Sequence, residues 1–161
     1  IKINEYQEAR FVAKMVRGMF NTLAGKRIAL FGAAFKANTS DIRESPALVV
    51  CRKLLAERAD VVLCDPVALE NAKEDLGKDV AKLTFEADPY QAAKGAHAIA
   101  VLTEWEDFVS LDYQRIYQSM AHPSFIFDGR LILDHQALFE IGYNVFPIGK
   151  TPKTHFYWPT E

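Results

Sequence analysis

Three cations stand just beyond short apolar runs of this chain. Lys36 and Arg43 follow Arg27-Ile28-Ala29-Leu30-Phe31-Gly32, and Arg130 follows Phe125-Ile126-Phe127-Asp128-Gly129. A cation at such a place can hold a phosphate, and the arginine fork matches phosphate oxygens in pairs. The segment after Phe31 reads Gly32, Ala34 and Ala37 in the frame of a dinucleotide fingerprint, so only the first of three glycines is present. That fingerprint works by bringing a pyrophosphate onto a bare helix amino terminus. Here Lys36 and Arg43 offer side-chain charge instead. Three cations in a chain of net charge −2 point to a small anionic ligand. Each position also has a plain structural reading. Lys36 reads as a solvated loop residue and Phe35 as core. Arg43 reads as a surface ion pair with Asp41 or Glu44, and Arg130 as one with Asp128 or Asp134.

Other reactive residue types carry less. Cys51 and Cys64 lie inside apolar runs and read as small buried side chains, not as thiolates in an electropositive setting. His97, His122, His135 and His155 are scattered without metal-ligand spacing, so no metal site is expected. Trp105 reads as a packing residue. Asp65, after a second apolar run, stands where an acid could hold a ribose.

The cations need a frame, and the chain supplies one. Val12, Met15, Val16, Met19, Phe20 and Leu23 recur at helical spacing, which predicts one long amphipathic helix over 3–23 that stops at Ala24-Gly25. Beyond it, apolar runs at 27–32, 61–64, 82–86, 97–102, 124–127 and 143–148 alternate with helical stretches at 46–58, 69–81, 89–94, 112–120 and 135–141. Gly77 is a point where the second of these helices would break. Short strands rich in Ile, Val and Leu, separated by helices, indicate a parallel sheet covered on both faces. The fold class is α/β, a Rossmann-like doubly wound and mostly parallel sheet of five to six strands, preceded by the long helix. In the usual strand order the loops after the first, fourth and fifth strands converge on one crevice at the switch point. The domain reading is 1–24 for the helix, 25–149 for the sheet domain, and 150–161 for a tail that is irregular or only loosely docked.

Half of the 161 residues are hydrophobic and a quarter are charged, which excludes a disordered or low-complexity chain. Nineteen basic against 21 acidic residues give no basic surplus for nucleic acid, and no apolar run is long enough to cross a membrane. The chain opens on Ile1 and reads as a piece of a longer protein.

The residues around the cations resemble a known family. Asn4-Glu5-Tyr6-Gln7, Gly25-Lys26-Arg27-Ile28-Ala29-Leu30-Phe31-Gly32, Ala34-Phe35-Lys36, Arg43-Glu44-Ser45, Asp65-Pro66, Asp88-Pro89-Tyr90, Thr103-Glu104-Trp105 and Phe125-Ile126-Phe127-Asp128-Gly129-Arg130 together resemble the C-terminal, UDP-binding domain of the nucleotide-sugar dehydrogenases that oxidise UDP-glucose. The resemblance implies a whole enzyme that oxidises UDP-glucose to UDP-glucuronate with two NAD, in the cytoplasm, as a homo-oligomer. It implies that Phe35, Lys36 and Arg130 line the nucleotide-sugar pocket and that Arg43 reaches towards NAD. The catalytic cysteine and the NAD domain would lie outside this chain, leaving it without catalytic residues and inactive alone. UDP-glucose or UDP-glucuronate and the remaining domains would be its partners. Ala37 and Asn38 stand where many relatives carry a further cation and Asp. Two other functions fit the residues: a stand-alone NAD-binding module, or an oligomerisation domain using an exposed apolar stripe of the first helix.

Overall fold

A computed structural model of the chain describes residues 5–159. Helix α1 (Glu5–Gly18) precedes β1 (Arg27–Phe31), α2 (Pro46–Ala56), β2 (Asp60–Cys64), α3 (Leu69–Leu76), β3 (Thr84–Phe85), α4 (Pro89–Ala93) and β4 (Ala98–Val101). There follow α5 (Glu106–Val109), α6 (Tyr113–Ser119), β5 (Phe125–Asp128), α7 (His135–Ile141) and β6 (Asn144–Pro147). The six strands form one sheet in the order β3-β2-β1-β4-β5-β6, and every pairing is parallel. The strand order reverses between β1 and β4, which makes their carboxyl ends the switch point.

The strands are buried on both faces, so alternate residues enter two separate cores. Ile28 and Leu30 of β1, Ala98 and Ala100 of β4, and Phe125 and Phe127 of β5 join one core. Ala29, Phe31, Ile99, Val101 and Ile126 join the other. The first core is covered by α1, α2 and α3, and it contains a stack of Phe125, Phe127 and Phe146. Phe11 meets Phe127 edge-on at 6.5 Å and Phe20 meets Phe125 at 5.9 Å. Helix α1 therefore runs antiparallel to β5, with its amino end at the carboxyl edge of the sheet.

Three expectations change. The first helix ends at Gly18, not at Ala24-Gly25, because Phe20 and Asn21 turn left-handed at φ 66° and 70°. Gly18 is a point of close approach, since a Cβ there would lie 3.0 Å from the Phe146 ring. The first two positions of the expected helix, 3 and 4, fall outside the described residues. Most of the apolar stripe is also not exposed: Val12, Met15, Met19 and Leu23 are buried in the first core and Val16 packs against it, while Phe20 stays exposed. Finally, the segment after Gly149 is irregular but firmly docked as far as it is described, to residue 159. Lys153 exchanges two backbone hydrogen bonds with Val145, of 2.8 and 2.9 Å. His155 N–H donates to Asn144 Oδ1 at 2.7 Å, and its ring stacks on Phe139. Phe156 meets Phe125 and Phe20, and Trp158 stands edge-on to Phe146 at 5.1 Å. The pairing of Lys153 with Val145 covers the free side of β6, which would otherwise offer unpaired backbone groups to another chain.

Removal of residues 151–159 is expected to lower the thermal midpoint and cause concentration-dependent association, read by a melting curve and light scattering. Trp158→Ala alone should cost about 1–2 kcal/mol through lost apolar burial. An unchanged midpoint in both variants would show that the segment contributes nothing to the fold.

Candidate functional site

The switch point is closed from within. Gly32 follows β1 at φ 117°, and a Cβ there would lie 2.1 Å from Thr103 Oγ1, so only glycine fits. The next two peptides, Ala33 and Ala34, are buried, and their N–H groups donate to Asp65 Oδ2 at 2.8 and 3.1 Å. The indole Nε1 of Trp105 donates to the same oxygen at 3.2 Å. Val67 and Ala68 N–H groups donate to Oδ1 at 2.9 and 2.8 Å. The carbonyls are satisfied as well: Ser45 Oγ donates to Ala33 O at 2.7 Å and Thr103 Oγ1 to Ala34 O at 2.9 Å. In a dinucleotide fold these first-turn amides receive the pyrophosphate. Here a buried carboxylate of the chain itself takes that place.

Asp65 is therefore not a ribose-binding acid, since its carboxylate is spent on five internal donors. Trp105 is a packing residue with one further duty, as a donor to Asp65. Helix α2 begins only at Pro46, and its Ser45 cap hydroxyl is turned inward to Ala33. The first turn thus does not fit the phosphates of a bound NAD.

The remaining chemistry lies on the outer part of the same edge. Phe35 is half-buried, and its N–H donates to Asp41 O at 2.8 Å, closing a short loop in which the next residue, Lys36, is exposed. Arg43 Nε and Nη2 grip Asp41 Oδ1 and Oδ2 at 3.0 and 2.8 Å, which is the surface-pair reading of Arg43. The Arg43 guanidinium holds the Asp41 carboxyl down to about 2, aided by the Arg43 N–H; Lys36 adds a smaller pull, so its charge stands near this pair.

Arg130 stands at the end of β5. Its N–H donates to Asp128 Oδ1 at 3.1 Å, while Asp128 Oδ2 accepts from Leu133 N–H at 3.0 Å and lies 2.8 Å from His135 Nε2. The Arg130 side chain pairs neither with Asp128 nor with Asp134. Its Nη2 reaches across to Glu104 Oε1 of the β4 loop, at 2.6 Å. Lys36, Glu104 and Arg130 thus rise from the ends of three adjacent strands, β1, β4 and β5, as the topology required. Arg43 stands further out along the same loop as Lys36.

Both cysteines are free and buried. Burial pushes the Cys51 thiol up to about 12 and raises Cys64 further still. Among the described residues no group of His, Cys, Asp and Glu is arranged to hold a metal, and no helix is long and apolar enough to cross a membrane. A groove of about 640 Å³ lies between α1, the end of β6 and the terminal segment; Arg10, Lys14 and Trp158 line it, and none of Phe35, Lys36, Arg43 or Arg130 does.

Two outcomes follow from these contacts. Asp65→Ala strands five donors and should cost about 3 kcal/mol or more in urea unfolding; a loss under ~1 kcal/mol would mean that the turn does not need its carboxylate. The Asp41–Arg43 pair lowers a folded-state pKa, so its stabilisation is present above the ordinary carboxylate value and is lost as pH falls through about 2. An NMR titration should find Asp41 the more acidic carboxyl of its loop, and Arg43→Ala should return it to the ordinary range.

Residues 29–135 match the UDP-glucose/GDP-mannose dehydrogenase family, UDP binding domain. The chain is 50% identical to a UDP-glucose 6-dehydrogenase of Caenorhabditis elegans over 94% of its own length and 33% of that protein. It is 46% identical to the Drosophila melanogaster UDP-glucose 6-dehydrogenase over 93% of its length and 34% of that protein. It thus spans about a third of the length of these relatives. Among solved structures, a UDP-glucose dehydrogenase from Pyrobaculum islandicum superposes with a TM-score of 0.70 at 28% identity, over 89% of this chain and 29% of that one. A family match over most of the sheet, together with the switch-point geometry, identifies the chain as a UDP-binding domain of the UDP-glucose/GDP-mannose dehydrogenase family.

Proposed function

We propose that this domain holds the nucleotide sugar in a UDP-glucose 6-dehydrogenase, an enzyme that oxidises UDP-glucose to UDP-glucuronate with NAD. Phe35, Lys36 and Arg130 contact the UDP-sugar, and Arg43 faces the nicotinamide cofactor. The observation that carries the reading is the placement of Lys36 and Arg130 on the two sides of the β4 end, at the switch point, with the Arg130 backbone pinned by a fully buried Asp128. A diphosphate lying across that edge would meet a point charge from one side and a guanidinium fork from the other. Because Asp65 fills the first turn, phosphates are bound by side chains and not by the bare loop. NAD belongs to another part of the whole enzyme, which works in the cytoplasm as an oligomer. Holding the sugar in register is catalytic work in its own right, since a misplacement of ~1 Å can cost about a hundredfold in rate.

Calorimetric titration of the chain with UDP should show weak, salt-sensitive binding, tighter than that of NAD. Arg130→Ala and Lys36→Ala should each weaken it by about tenfold, the loss of one charge-assisted contact to phosphate. Equal affinity in both variants would remove these residues from the site, and a preference for NAD over UDP would favour a dinucleotide module.

A further inference from the structure

The partner of Arg130 is itself a feature of the site. Glu104 follows Thr103, whose hydroxyl is bonded to Ala34 O, so the backbone that presents Glu104 is tied to the β1 loop. Arg130 is presented by a turn tied to Asp128, which Leu133 and His135 hold in turn. Two locked backbones thus bring a carboxylate and a guanidinium to 2.6 Å, with side chains 46% and 24% exposed. Only Nη2 of the fork is engaged; the other N–H groups of the guanidinium have no hydrogen-bond partner among the described residues.

We propose that Glu104 determines specificity at this site, as an internal counter-ion that sets the minimum charge a ligand must carry to bind. The inference rests on the reading that Arg130 meets the ligand's phosphates. A singly charged ligand that approaches Arg130 exchanges one anion for another and comes to rest beside the Glu104 carboxylate. Attraction and repulsion then nearly cancel. A doubly charged diphosphate diester keeps a second charge in hand, and Lys36 stands two strand-ends away to receive it. Glu104 therefore admits diphosphates and turns away monoanions of the same nucleoside, a discrimination made by a repulsive element as much as by the attractive ones.

The test compares UDP-glucose, which is doubly charged, with uridine 2′,3′-cyclic monophosphate, which is singly charged, by calorimetry on the chain. Glu104→Gln keeps the size and hydrogen-bonding capacity of the side chain and removes its charge. It should tighten UDP-glucose binding by about tenfold, the effect of relieving one like-charge contact. It should also bring binding of the cyclic monophosphate into the measurable range. Glu104→Asp should retain the discrimination of the parent. In an Arg130→Ala background, Glu104→Gln should change neither affinity. If Glu104→Gln leaves UDP-glucose binding unchanged or weaker while Arg130→Ala still loses it, the inference fails and the assignment of Arg130 stands. If Arg130→Ala binds UDP-glucose like the parent, the assignment of Arg130 fails and the inference with it.

Discussion

The Asp65 carboxylate is the contact on which the ligand edge depends. It lies fully inside the protein and gathers donors from three separate segments: the turn after β1, the turn after β2, and Trp105 beyond β4. A buried charge of this kind is costly unless its lone pairs are all used. Here five N–H groups use them, and the same bonds satisfy five donors that would otherwise be orphaned. The result is a junction between neighbouring βα corners that is rigid before any ligand arrives. Lys36, Glu104 and Arg130 extend from loops of the frame to which this junction belongs.

The junction also explains why a fold so often used for dinucleotides has another use here. The two amides that normally welcome a pyrophosphate remain in place after Gly32, and the glycine is still required by the contact with Thr103. Their capacity has been taken by an acid just beyond the next strand, Asp65. Once the backbone seat is filled, the positive groups described at this edge are long side chains on loops, Lys36, Arg43 and Arg130. In the function proposed above, recognition falls to such groups, which are adjustable in length and charge.

Much of this was legible in the residues. The alternation of short Ile- and Val-rich runs with helices specified a parallel sheet, because a strand covered on both faces needs no polar alternation. Asp88 and Asp112 cap their helices through their side chains, as residues of that type at a helix start should. The missing glycines at 34 and 37 marked the first turn as unusual. Other features depended on distance in space. Nothing in the spacing of Asp65 and Ala33 reveals that they touch, since they stand 32 residues apart. Arg130 has acids two and four residues away, yet it chose one 26 positions back, because strand order makes β4 its neighbour. The helix end at Gly18 was hidden because the apolar spacing continues through Leu23, while the backbone turns left-handed at Phe20 and Asn21, residue types that carry no such signal in the pattern. The terminal segment shows no periodicity because its hold on the sheet comes from a pair of backbone bonds, the hydrogen bonds of His155 and a few rings, none of which leaves a repeating pattern.

The state of the two thiols has a consequence for the behaviour of this domain under oxidants. A thiol whose pKa stands near 12 presents roughly one thiolate in a hundred thousand at neutral pH, and the thiolate is the form that peroxides and disulfides attack. Cys51 and Cys64 also sit in different cores, on opposite faces of the sheet, so they cannot meet to form a bridge within one folded copy. Neither Cys51 nor Cys64 is thus poised to act as a reactive thiol in the folded domain.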